Sequence, residues 1–232
     1  MRSSGDPVAE ARFFLGKIPL FENLSEASMQ AMARAGKFIQ VEKGQFIFFQ
    51  SDPSERAFLV RSGLISIILE SLDGRRLVIN EMRSGDFFGE VGLLTKQSRS
   101  SSAIARSDSE LLVIPRLAFI TVLDIEPVLV RRMLEMIAFR LRESSERESA
   151  LAFLDAQGRL ARLLLQLGKQ ELEKGYITIS QEELAERTGQ TRQTVAKALG
   201  RWRRAGWLIT GRGRIMLLKH AELALLEQEG SI

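Results

Sequence analysis

The hydrophobic period of this chain changes once, near Arg116, and that change limits the architectures open to it. Over residues 36–116 the apolar residues come in brief β-branched and aromatic runs, FIQVEKGQFIFFQ, AFLVRSGLISIILES and RRLVINEM, broken by Gly, Pro and Asp. Short strands at this spacing predict a small β-barrel or roll. The pair Asp73-Gly74, between two of the runs, predicts a two-residue hairpin turn. Beyond Arg116 the stretch LAFITVLDIEPVLVRRMLEMIAFRLRESSERESALAFL has helical spacing instead. Within it Val130, Leu134, Ile137, Leu141, Ser144, Glu148 and Leu151 recur at alternating steps of four and three. That is a heptad stripe, suited to a coiled-coil pair or to a helix lying on its own domain. Pro127 fits the first turn of this helix, with Asp124 or Glu126 placed to favour its N-terminus. Ser144 and Glu148 put polar atoms on the stripe, which costs stability unless they find a partner or fix a register.

Two short helices are expected before the strands, at residues 9–17 and 25–35, the second capped by Ser25. After a hinge-like break at residues 155–158 (DAQG) come a helix, RLARLLLQLGKQELEKG, and a short strand, YITI. In SQEELAERTGQTRQTVAKALGRWRRAG, Ser180 caps one helix and Glu183, three residues on, completes a capping box. Thr188-Gly189-Gln190 makes a turn, and Thr191 caps a second helix. Two short helices across a glycine-bearing turn are a helix-turn-helix signature. LITGRGRIMLL then reads as two strands around a Gly-Arg-Gly turn, a basic wing. The fold class expected is α+β: a small barrel or jelly-roll-like β-roll at residues 1–124, a long helix and hinge at 125–155, suited to dimerisation or to packing on its own domain, and a winged helix-turn-helix at 156–232.

What the chain lacks narrows its chemistry. Among its 232 residues there is no cysteine and a single histidine, His220. Disulfides, thiolate zinc sites, cysteine-ligated clusters and histidine triads are excluded, and no metal site is expected. No nucleophile–base pair is visible either, so an enzyme is not expected. The first ten residues carry no secretory signal and no apolar run is long enough to span a membrane, so a cytoplasmic protein is the expectation. Residues 156–219 hold 13 Lys/Arg against 5 Asp/Glu, a net +8 in a chain of net +4 overall, which leaves −4 for the rest. A basic C-terminal part suits an anionic partner such as nucleic acid, or else a solvated basic surface.

The segment GDFFGEVGLLTKQSRSSSAIA, residues 85–105, gathers the other candidate site. Glu90 follows Gly89 and precedes Val91; Arg99 is followed by Ser100 and Ser101. A carboxylate accepts from hydroxyls, whereas a guanidinium with serine hydroxyls and backbone N–H groups grips an anion. A ligand with hydroxyls and one negative charge satisfies both ends.

With GDFFGE before RSSSAIA, then LRESSERESALAFLDAQGRLARLLLQL, then SQEELAERTGQTRQTVAKAL, in that order, the chain resembles the cyclic-AMP receptor/fumarate–nitrate regulator family over nearly its whole length. The resemblance implies a homodimeric transcription regulator that binds palindromic double-stranded DNA, works with RNA polymerase, and is controlled by a cyclic nucleotide, cyclic AMP first and cyclic GMP second. It implies that Glu90 takes the ribose hydroxyl and that Arg99 and Ser100 take the phosphate. It places Arg140 near the pocket, opposite Glu90, and Ser144 and Ser145 at the base. A loop between Glu90 and Arg99 one residue shorter than the family's puts the position of the phosphate clamp in question, and serine rather than threonine at position 144 does the same for the base preference. Relatives that bind no ligand, or cyclic di-GMP, keep a ligand-independent regulator as an alternative. The iron–sulfur and haem branches lack their ligands here.

On the DNA side, the second helix of such a motif enters the major groove by its N-terminal residues. These are Arg192, suited to guanine, Gln193, suited to adenine where the family carries glutamate, and Lys197 one turn on. Thr191, Thr194, Arg201 and the wing residues Arg212 and Arg214 are candidates for backbone contacts, Ser180 and Gln181 are further DNA-binding candidates, and Arg201, Arg203 and Arg204 suit a solvated face equally well. Trp202 and Trp207 read as core.

Overall fold

A computed structural model describes residues 6–229. The first five residues of the polar N-terminal stretch lie outside the described residues. Contacts divide the chain into two compact units, one made of residues up to Leu69 with Ile79–Arg140, the other of Glu70–Val78 with the chain from Leu141 onward.

In the first unit, α1 (Pro7–Leu15) and α2 (Glu26–Ala35) precede the strands. Asp6 caps α1 through Val8 N–H and Pro7 takes its first position, so the helix starts two residues before the expected one. The strands are β1 (Lys37–Val41), β2 (Phe46–Phe48), β3 (Arg56–Ser62), β4 (Ile65–Glu70), β5 (Arg76–Met82), β6 (Phe87–Phe88), β7 (Ser102–Ala105) and β8 (Ser109–Pro115), with the short α3 (Glu90–Thr95) after β6. They form two four-stranded sheets, in the orders β1-β8-β3-β6 and β2-β7-β4-β5. The pairings recorded are antiparallel, as a roll requires.

The first sheet is buried on both faces. From β3, Phe58 and Val60 point into the roll with Val41, Phe48 and Phe88. The alternate residues Ala57 and Leu59 join a second cluster with α1, α2, α4 (Arg116–Ile125) and the start of α5 (Pro127–Phe153). Phe87 of β6 is the hub of that second cluster, edge-on to Phe21 and stacked on Phe119.

One expectation for this region is corrected. The β4–β5 turn is not a two-residue loop. Ser71 N donates to Arg75 O and Gly74 N to Ser71 O, with Gly74 at φ +78°, which leaves Leu72, Asp73 and Gly74 as a three-residue loop. That is a turn followed by a glycine in the left-handed region, the next commonest hairpin connection. Glu126 precedes α5 as expected, and its carbonyl oxygen accepts from Leu129 N–H and Val130 N–H, while its carboxylate is engaged elsewhere. Its Oε1 accepts from Ser25 N–H (3.0 Å), Ser25 Oγ (2.5 Å) and Ser28 Oγ (2.6 Å), and so anchors the start of α2. These donors hold the Glu126 carboxyl below the usual carboxylate range.

In the second unit, α5 ends at Phe153 and Asp155 caps α6 (Ala156–Gln170) by accepting from Gly158 N–H at 2.7 Å. Then come β9 (Ile177–Thr178), α7 (Gln181–Thr188), α8 (Arg192–Arg204), the hairpin β10 (Leu208–Gly211) and β11 (Arg214–Leu217), and α9 (His220–Glu229). The sheet order is β10-β11-β9. Its core joins Leu160 and Leu164 to Leu184, Val195, Leu199, Trp202 and Leu223. Trp202 is buried and stacks on Trp207, as the reading of both as core residues expects.

No helix among the described residues is long and apolar enough to cross a membrane.

Candidate ligand and nucleic-acid sites

In the roll, β6 ends at Phe88 and the chain turns at Gly89 into α3. Gly89 has φ +81°, and a Cβ there would lie 2.7 Å from Arg99 Nη1 and 3.3 Å from Phe58 Cδ2. Both the backbone and the space demand glycine. Arg99 reaches this corner from the loop before β7. Its Nη1–H donates to Gly89 O (2.7 Å) and its Nη2–H to Arg56 O (2.5 Å). The guanidinium carbon sits 4.2 Å from the centroid of Phe48 and 5.6 Å from that of Phe58. Arg99 is only 5% exposed, and its Nε–H is buried without a partner. Burial draws its pKa below the ordinary arginine value, while the carboxylates of Glu90 and Asp52 pull the other way.

Glu90 is buried too, and it is paired. Arg140 Nη1 donates to Glu90 Oε1 at 2.6 Å, and Arg140 Nη2 faces Phe87 O and Met82 Sδ. The expected opposition of Arg140 and Glu90 is what the structure has. Ser100 and Val91 are exposed, whereas Ser101 is buried. The corner thus holds a buried arginine, a half-buried one, one buried carboxylate and one unmet donor. Such a set fits a small anion that also carries hydroxyls. Sequence reasoning missed the two phenylalanine rings and the Arg56 carbonyl. The rings belong to apolar strand runs where nothing marks them apart, and a carbonyl belongs to every residue.

Along α5, Ser144 donates to Glu148 Oε1 (3.2 Å) and Ser145 to Leu141 O (3.1 Å). The two polar members of the heptad stripe therefore satisfy each other. Val130, Leu134, Leu141 and Leu151 of the same stripe are exposed, at 39–67%. Ile137 packs partly on the first unit's core.

In the second unit the capping box at Ser180 is complete. Its Oγ accepts from Glu183 N–H, while Glu183 Oε2 accepts from Ser180 N–H and Oγ–H. Ser180 thus spends its hydroxyl inside the chain. Thr191 Oγ1 caps α8 by accepting from Thr194 N–H and lies 2.9 Å from Thr194 Oγ1. Val195, Ala198, Leu199 and Trp202 fix the inner face of α8. At 3.6 residues per turn, Gln193, Lys197, Gly200 and Arg204 form the ridge directly opposite. The side chains of Gln193, Lys197 and Arg204 are exposed there. Arg192 leaves this ridge toward the wing. With Gln181, Glu182 and Arg214 it lines a groove of about 310 Å³. Arg214 stacks over Tyr176 at 4.6 Å, and Arg212 is exposed at the wing tip. Arg201, a candidate for a phosphate contact, is exposed and donates through Nη1 to Gln157 Oε1 (3.0 Å).

Comparison with known proteins agrees with this division. The family model of the cyclic nucleotide-binding domain matches residues 38–126, and that of the Crp-like helix-turn-helix domain matches residues 158–226. The chain is 30% identical over 210 residues to the cyclic AMP receptor protein of Thermus thermophilus, covering 90% of this chain and 95% of that one. It is 28% identical over 214 residues, with the same coverage, to the CRP-like cAMP-activated global transcriptional regulator of Mycobacterium tuberculosis. Among solved structures, the c-di-GMP-responsive global regulator CLP of Xanthomonas campestris superposes with a TM-score of 0.75 at 25% identity, over 83% of this chain and 99% of that one.

Proposed function

The chain belongs to the cyclic-AMP receptor/fumarate–nitrate regulator family of transcription regulators, which are not enzymes, and on that premise we propose a homodimer whose DNA binding is gated by a cyclic mononucleotide, cyclic AMP first and cyclic GMP second. Arg99 carries the ligand half of this reading. A cation that is 5% exposed, caught between two rings, with its Nε–H unmet, is expensive to maintain unless an anion arrives. A phosphodiester supplies one, received by Arg99 with the Ser100 hydroxyl and the N–H groups of residues 89–91. Glu90, held by Arg140, accepts from the ribose hydroxyl. The two relatives named for cyclic AMP favour that nucleotide.

The DNA half assigns base contacts to Arg192, Gln193 and Lys197, and backbone contacts to Gln181 and Arg212. The dimer reading takes the exposed stripe Val130–Leu134–Leu141 as the seam with a second copy. Two recognition helices then meet half-sites about 34 Å apart on a palindromic operator, and the output is recruitment of RNA polymerase. The ligand acts only through its different affinity for the two forms of the dimer. The Xanthomonas neighbour favours cyclic di-GMP as the second reading.

Calorimetry of wild type and Arg99→Ala against cyclic AMP, cyclic GMP and cyclic di-GMP tests this. We expect saturable heat with cyclic AMP that Arg99→Ala abolishes, and operator affinity that rises only with the same nucleotide. Equal operator affinity with and without all three nucleotides rejects ligand gating.

A further inference from the structure

A glycine inside a helix costs stability relative to alanine, because the unfolded chain has more freedom to lose. It is retained where something else needs the space of the missing Cβ. Four glycines lie within helices of the described residues, and three have such a neighbour in their own chain. A Cβ on Gly92 would lie 2.4 Å from Ser54 Oγ, one on Gly158 2.9 Å from Leu226 O, and one on Gly168 3.1 Å from Leu217 Cδ1. Gly200 is different. The nearest atom to its added Cβ is Arg204 Nη1 at 3.8 Å, the far end of a flexible side chain. Its φ is not in the left-handed region, so the backbone makes no demand either. Nothing among the described residues accounts for this glycine.

Its position supplies a reason. Gly200 stands on the outer ridge of α8, opposite Val195, Ala198, Leu199 and Trp202, with the exposed cations Lys197 and Arg204 one turn to either side. It is eight residues beyond Arg192, which at 1.5 Å per residue is about 12 Å along the axis. The major groove is about 12 Å wide. A helix that enters by its first turn therefore meets the groove wall near Gly200.

We propose that Gly200 is where a sugar–phosphate strand of the DNA crosses α8, the missing side chain letting the strand approach the helix backbone while Lys197 and Arg204 flank it. This inference rests on the reading of α8 as the recognition helix. It makes Gly200 a positioning residue for the DNA backbone, one that carries no base preference of its own.

The test is Gly200→Ala, compared with wild type on a duplex that wild type selects from a random pool in the presence of its nucleotide, and on an unrelated duplex. The variant gains helix propensity, so its Tm is expected to rise by about 2 °C. Its affinity is expected to fall about tenfold on both duplexes, the weight of one hydrogen bond to a charged group, with the selected sequence unchanged. Gly168→Ala is the control: it is expected to lower Tm, because of Leu217, and to leave DNA affinity where it was. Gly200→Ala that binds as wild type, or a loss confined to one base pair, overturns the inference alone. A wild-type chain that selects no duplex with any nucleotide overturns the recognition-helix reading and this inference together.

Discussion

Removing Arg140 isolates the buried carboxylate of Glu90. In Arg140→Leu the guanidinium that donates to Glu90 Oε1 at 2.6 Å is lost, and so is the donor to Phe87 O. The Glu90 side chain is 5% exposed and that of Arg140 19%. Water therefore cannot replace the lost partner at Glu90, though it reaches part of the arginine. Breaking a buried pair from one side costs about 3–5 kcal/mol, and the partial exposure of Arg140 places the expected loss near the lower figure, about 3 kcal/mol. At about 2–4 °C per kcal/mol for a chain of this size, Tm should fall by roughly 6–12 °C. The assay is urea unfolding of wild type, Arg140→Leu, Glu90→Gln and the double variant, followed by the fluorescence of the protein and by circular dichroism. Glu90→Gln/Arg140→Leu should recover much of the loss, because no charge is then stranded. A single-variant loss below about 1 kcal/mol, within the range of a surface pair, would refute the reasoning. So would a double variant no more stable than Arg140→Leu.

Two further predictions concern the carboxylate of Glu126 and the exposed stripe of α5. Glu126 is held ionised by Ser25 and Ser28, so its folded pKa lies below its unfolded one; the stability it contributes is present at neutral pH and is lost as pH falls through the carboxylate range. Ser25→Ala should narrow the gap in Tm between pH 7 and pH 3, and an unchanged gap would contradict it. Leu134→Glu places a charge on an exposed position of the stripe; sedimentation should show wild type as the proposed dimer and the variant as a folded monomer, with intact far-ultraviolet circular dichroism.

Much of the fold was legible because caps and periods are local. Ser180 with Glu183, and Thr191 before RQTVAKAL, mark their helices by hydrogen bonds within three residues, and the structure has both. The pairing of Arg140 with Glu90 was legible only through the resemblance, since the partners are 50 positions apart. Strand alternation was obscured in β3 and β8 because both of their faces are buried: Phe58 and Val60 enter one core and Ala57 and Leu59 the other, so no polar beat survives. Glu126 precedes α5 in sequence, but the donors to its carboxylate lie about a hundred residues away at the start of α2, a tie that no local pattern marks. The bond from Arg201 to Gln157 was hidden likewise, because a solvent-facing arginine and a bonded one look alike in a sequence.

Arg159 has a consequence for anyone wishing to transplant the DNA-reading module. Its Nη1 donates to Leu154 O, just past the end of α5, and its Nε to Thr188 O, at the end of α7. One side chain thus fastens the last turn of the long helix to the helix-turn-helix. A chimaera spliced at Ala156 would discard one of those acceptors and the Asp155 cap together, whereas a splice within α5, upstream of Leu154, would carry both along. The workable seam for modular engineering lies inside the long helix, ahead of the visible break in the sequence.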